Sequence, residues 1–111
     1  MKLLTKALTQ QLLANGQKRP SADVVKPVVK FFNPVGSATW LFSELDSDGD
    51  TLYGLCDLGF GSPELGYASL SEIESVTLAF GLKIERDLHF TANKTLAEYA
   101  TDANSKGRIN A

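Results

Sequence analysis

Between Leu45 and Thr51 the chain reads Asp46-Ser47-Asp48-Gly49-Asp50, and the runs on either side are rich in aromatic and aliphatic residues. Asp-Gly suits the positive φ values of a tight hairpin turn, since aspartate tolerates that backbone region and glycine has no Cβ to clash there. The segment therefore predicts a central hairpin with strands over 38–45 and Thr51–Asp57. With Asp48-Gly49 as the turn, Leu45 opposes Leu52, Phe42 opposes Leu55 and Trp40 opposes Asp57. Strict alternation then sorts Leu41, Ser43, Leu45, Leu52, Gly54 and Cys56 onto one face and Trp40, Phe42, Glu44, Tyr53, Leu55 and Asp57 onto the other. Neither face is wholly polar, so helices are expected to cover one, and a terminus or a partner to cover part of the other.

The flanking sequence supplies the cover. Leu4, Ala7, Leu8 and Leu12 recur at helical spacing, with Thr5 as N-cap and Asn15-Gly16 as a stop, which predicts a helix over 6–14. Val28-Val29-Lys30-Phe31-Phe32 reads as a strand closed by Asn33-Pro34. Ser69 and Glu72 have capping-box spacing and open a helix over 70–79; Thr95 and Glu98 repeat the pattern and open another through Ala103. Ile84, Arg86, Leu88 and Phe90 alternate with Glu85, Asp87 and His89, as a strand would. The expectation is an α+β fold: a small, mainly antiparallel sheet of about four strands with a central hairpin, packed by short N-terminal, middle and C-terminal helices. At 111 residues, one core is expected over 1–103, with 104–111 a fraying polar tail.

Charge is distributed unevenly. Residues 1–30 carry six bases against Asp23, a net +5, and residues 31–111 carry five bases against twelve acids, a net −7. Such asymmetry marks an acidic surface that meets a basic partner, or a basic arm that meets phosphate. Cys56 is the only cysteine, which excludes an internal disulfide and fits a reducing compartment. The opening Met1-Lys2-Leu3-Leu4-Thr5-Lys6 is broken too early by Lys6, Thr9, Gln10 and Gln11 to be a signal peptide, and no apolar run is long enough to span a membrane; a cytoplasmic location is expected.

Candidate chemistry is sparse. Asp46, Asp48, Asp50 and Asp57 fall at positions one, three, five and twelve of a calcium-loop count. Thr51 stands where the loop needs glycine and the last acid is aspartate, so no metal is expected and the turn explains the acids. Glu85, Asp87 and His89 would share one face of a strand, the composition of a minor acid–base enzyme or a facial metal site. Gly59-Phe60-Gly61-Ser62-Pro63 lacks the spacing of a phosphate loop.

Read together, the opening segment 1–6, VVKFF at 28–32, Thr39-Trp40, Leu52-Tyr53-Gly54-Leu55, Glu64-Leu65-Gly66-Tyr67, the run 69–76 and GLKIERDLHF at 81–90 resemble the bacterial family catalogued as domain of unknown function 2958. Phe42, Ala68 and Lys83 depart from its usual pattern. The resemblance implies a short cytoplasmic protein of plasmids, integrative elements or prophages, and brings no activity with it. With no cofactor, metal or catalytic residue indicated, the expected role is a non-enzymatic accessory factor that binds an unidentified protein. Its contact residues would be Asp46, Asp48, Asp50, Asp57, Glu64, Glu72 and Glu74, with Trp40 and Tyr53, and one such role is countering a host defence system through an acidic surface. Nucleic acid is disfavoured at that face; weak phosphate binding by the basic N-terminal segment is the alternative to it, alongside the Glu85/Asp87/His89 enzyme.

Overall fold

The computed structural model describes residues 2–111. Helix α1 (Lys6–Lys18) precedes four consecutive strands, β1 (Val29–Phe32), β2 (Thr39–Leu45), β3 (Thr51–Asp57) and β4 (Glu64–Ser69). Helix α2 (Leu70–Ser75), a 3-10 turn (Ala79–Gly81), the short β5 (Glu85–Arg86) and helix α3 (Leu96–Lys106) complete the chain. The sheet has the order β4-β3-β2-β1-β5, with every neighbouring pair antiparallel. This is the expected α+β architecture with five strands. The additional one is β4, none of whose residues is buried, so no clear apolar alternation announces it.

Both sheet faces are covered. Leu12 of α1, Phe31, Trp40, Phe42, Leu45, Leu52, Ile73 and Ile84 form one core, with Leu3 tucked into it. Leu41 and Leu55 point the other way, against Leu96, Tyr99, Ala100 and Ala103 of α3 and Ile109 beyond it.

The hairpin departs from strict alternation at one residue. Leu45 faces Leu52 as expected, but Phe42 faces Gly54 and Trp40 faces Cys56, because the register shifts between Phe42 and Glu44. Ser43 is the extra residue of a β-bulge, and the bulge exchanges faces beyond it. Trp40 and Phe42 therefore share the α1 core with Leu45, and Glu44 stays with Tyr53 on the opposite side, as alternation expects. The turn itself is wider than two residues: Gly49 N–H donates to the Asp46 carbonyl (2.9 Å) and Asp46 N–H to that of Thr51 (2.8 Å).

Helix α1 is fitted to the bulge. The Ser43 carbonyl accepts from Asn15 Nδ2 at 2.9 Å, and a Cβ on Gly16 would overlap the Leu45 carbonyl oxygen. Asn15-Gly16 is thus a packing surface inside the helix rather than its stop; α1 ends four residues later than expected, at Lys18, with Arg19 in the left-handed region (φ 48°). Gly16→Ala, normally worth about 1 kcal/mol of added stability in a helix, is therefore expected to cost about 1–3 kcal/mol. Urea unfolding gives the sign.

The other ends also differ from expectation. Helix α2 stops at Ser75 because Val76 turns extended. Strand pairing after Ile84 ends at Arg86, where Asp87 accepts from the His89 N–H (2.9 Å) and turns the chain. Helix α3 continues to Lys106, Gly107 caps it at φ 75°, and Ile109 is buried. Its N-terminus carries the full Thr95/Glu98 capping box, and the Leu96 and Ala97 amides donate to the carbonyls of Val25 and Ala22 (2.8 and 2.9 Å).

Candidate functional site

A cavity rich in acidic and aromatic side chains lies beside the bulge. Glu44 keeps the register set by the turn and lies beside Tyr53 on the α3 side, while the bulge sends Trp40 and Phe42 to the other face; Tyr53 is in turn paired with Tyr67 on β4. The two rings lie 5.0 Å apart, tilted by 55°. Arg19, carried past the end of α1 by its left-handed backbone, reaches the same place. Together with Gly16, Asp46 and Thr51 these residues line a cavity of about 360 Å³. Burial raises the Glu44 carboxyl above its usual range; the Arg19 guanidinium opposes that shift and Asp46 adds to it. Burial likewise raises the Tyr53 phenol, with Tyr67 and Glu44 contributing. Two phenols and two carboxylates around one opening suit a cationic group, which ring faces and anions both attract.

Of the residues expected from the sequence, Asp46 and Tyr53 lie in this cavity. Asp48 and Asp50 lie next to it and hold the fold. Asp48 accepts from the amides of Asp50 (2.8 Å) and Thr51 (2.9 Å) and from the Thr51 hydroxyl (2.6 Å). Asp50 bridges the hairpin to α2, accepting from the Ser69 hydroxyl (2.7 Å) and the Ser71 amide (2.8 Å). Glu72 is exposed on the same helix. The others are elsewhere. Glu64 sits at the far end of β4, opposite Cys56. Glu74 accepts from the Leu3 amide at 3.2 Å, while Arg86 donates to the Leu3 carbonyl. Trp40 and Asp57 are buried, which removes them from any contact surface. Sequence reasoning missed Arg19, Glu44 and Tyr67. Gly54 was the available signal for the bulge, because a glycine in a strand interior marks a bulge or a close approach.

Hydrogen bonds hold both turn acids below the usual aspartate value of 3.8: the Thr51 hydroxyl does most for Asp48 and the Ser69 hydroxyl for Asp50. Depressed folded values mean stability that is complete above the unfolded aspartate range and lost as pH falls through the folded values. Acid is therefore expected to loosen the turn and the start of α2 first. Amide exchange of Thr51 and Ser71, followed as pH drops below 4, measures it.

Of Glu85, Asp87 and His89, the first two stay in register with β1, the Asp87 amide donating to the Lys30 carbonyl (2.9 Å), and the chain turns before His89. Asp87 is 3.6 Å from Lys30 Nζ, and the three border a shallow depression of about 380 Å³. Among the described residues no group of three or more His, Cys, Asp or Glu is placed to hold a metal ion, and no helix is long and apolar enough to cross a membrane. The N-terminal bases are dispersed: Lys6 and Lys18 stand at opposite ends of α1, roughly 18 Å apart at helical rise. Burial pushes the Cys56 thiol up to about 11, so it is a weak nucleophile at neutral pH.

A family model described as a protein of unknown function (DUF2958) matches residues 3–110. No curated protein and no solved structure matches the chain.

Proposed function

Since the chain belongs to the DUF2958 family, whose function is unknown, its own surface has to supply the reading, and we propose that it is a non-enzymatic factor that binds a basic protein through the Glu44–Asp46–Tyr53–Tyr67 cavity. The observation that carries this reading is the meeting of two carboxylates and two phenols in one opening, next to Asp48, Asp50 and Glu72. A lysine or arginine of the partner packs beside the Tyr53–Tyr67 pair and is held by Glu44 and Asp46, while Arg19 limits the net negative charge that an empty cavity must tolerate. The surrounding acids raise the encounter rate with a positively charged surface.

The setting we propose is the bacterial cytoplasm, with the protein encoded on a plasmid, integrative element or prophage. A host defence protein with a basic, nucleic-acid-binding channel is the kind of partner such an acidic surface engages, the carboxylates competing with phosphate.

Fluorescence anisotropy with a labelled decalysine peptide tests the binding chemistry. Glu44→Gln with Asp46→Asn is expected to weaken binding about tenfold, equivalent to 1.4 kcal/mol, and to flatten its salt dependence. The melting temperature should change little, because Glu44 loses a desolvated charge and Asp46 makes only one local, exposed bond, from the Ser47 amide (2.9 Å), which the asparagine oxygen can still accept. Binding that ignores both salt and the double substitution would contradict the reading.

A further inference from the structure

The sheet ends on β4, and its outer edge carries no strand among the described residues. The ladder on its inner side fixes which backbone groups point outward. Leu70 N–H donates to the Asp50 carbonyl, and Asp46 N–H to that of Thr51. Along β3, Thr51 therefore bonds toward β2 and Leu52 toward β4. Antiparallel alternation then turns the backbone groups of Gly66 and Ala68 toward β3, and those of Leu65 and Tyr67 away from the sheet. The side chains of Leu65 and Tyr67 lie on the α3 side and are 39% and 72% exposed.

Such an edge is usually blunted by lysine, proline or a bulge. β4 has no lysine or proline, and its six pairs with β3 run without a register shift. It is also chemically one-sided: from Glu44 to Leu82 the chain holds eight acids and no lysine, arginine or histidine. Two copies of this edge would bring like charges together, whereas a basic strand would meet opposite ones.

We propose that β4 receives an extended, lysine- or arginine-bearing segment of the partner as an added strand, paired to the backbone of Leu65 and Tyr67 with alternate basic side chains directed to the Glu44/Asp46 cavity. Main-chain bonds supply affinity in this mode, and the pocket beside the edge supplies selectivity. The inference rests on the basic-partner reading above and adds its geometry.

Amide exchange on the isotope-labelled protein, with and without a decapeptide alternating lysine and threonine, tests it. The peptide is expected to slow exchange of the Leu65 and Tyr67 amides by about tenfold or more, leaving Gly66 and Ala68, already bonded to β3, unchanged. Leu65→Pro removes an N–H that faces away from β3, so the fold tolerates it, and binding should drop at least about tenfold. Should that variant fail to fold, Tyr67→Lys, which blunts the edge and leaves every amide in place, is expected to lose binding equally. Peptide-induced shifts at Glu44 and Asp46 with no protection at Leu65 or Tyr67 would overturn strand addition while leaving the basic-partner reading intact; no binding at all would remove both. Equal protection by a glutamate–threonine peptide would overturn the charge argument, and protection that grows with protein concentration alone would make a second copy the occupant.

Discussion

Gly54→Ala is expected to remove a large part of the stability of the fold. The residue lies opposite Phe42 where the register breaks, and a Cβ there would overlap the Leu41 carbonyl oxygen and come within 2.7 Å of Phe42 Cα. Both neighbours are backbone atoms of a central strand, flanked by β1 and β3, so neither withdraws by a rotamer change. Forcing them apart strains the bulge and separates Phe42 from Phe31, whose rings meet edge to face at 5.6 Å. A loss of about 3 kcal/mol or more is expected, set against a total of roughly 5–15 kcal/mol for a domain. Urea denaturation measures it. Because the glycine has ordinary strand geometry, the loss comes from overlap, and serine there should be at least as damaging as alanine.

The second large effect is at Asp57. This carboxylate is 2% exposed and accepts from the Gly59 amide at 2.8 Å and the Ile109 amide at 3.0 Å. It ties the end of β3 to the loop that follows and to the segment after α3. Asp57→Ala leaves both amides without their acceptor, at about 1–3 kcal/mol each, so a total near 3 kcal/mol is expected. The damage should be local before it is global. Residues 107–111 should exchange and be proteolysed faster, because Ile109 loses its anchor, while the amides of α1 keep their protection. Asp57→Asn retains one acceptor oxygen and should recover part of the loss. Uniform loosening of all helices would contradict the anchoring role.

Much of the fold was legible in the sequence because it is locally encoded. Thr5, Ser69 and Thr95 each cap a helix as their spacing indicates, and the aspartate–glycine segment places β2, β3 and the Leu45–Leu52 pair. What stayed hidden depends on residues distant in sequence. The bulge at Ser43 is held by Asn15, twenty-eight positions away, and without it Trp40 and Phe42 are assigned to the wrong face. Arg19 and Tyr67 reach the cavity from opposite sides of the hairpin, and no local pattern links them. The buried end of the chain is likewise invisible locally, because Asn104–Ala111 looks polar until Asp57 supplies its partner. The acids illustrate the same limit: composition counts them alike, yet Asp48 and Asp50 brace the hairpin, Asp57 anchors a buried strap, and Glu44 with Asp46 faces an open cavity.

The most direct measurement is a chemical-shift titration of the isotope-labelled protein with the decalysine peptide at low and high salt. Shifts confined to Glu44, Asp46, Tyr53 and Tyr67 and their immediate neighbours, and suppressed at high salt, are the expected result for a surface that takes a basic partner. Shifts centred on Asp87 and His89, or none at millimolar peptide, would contradict it.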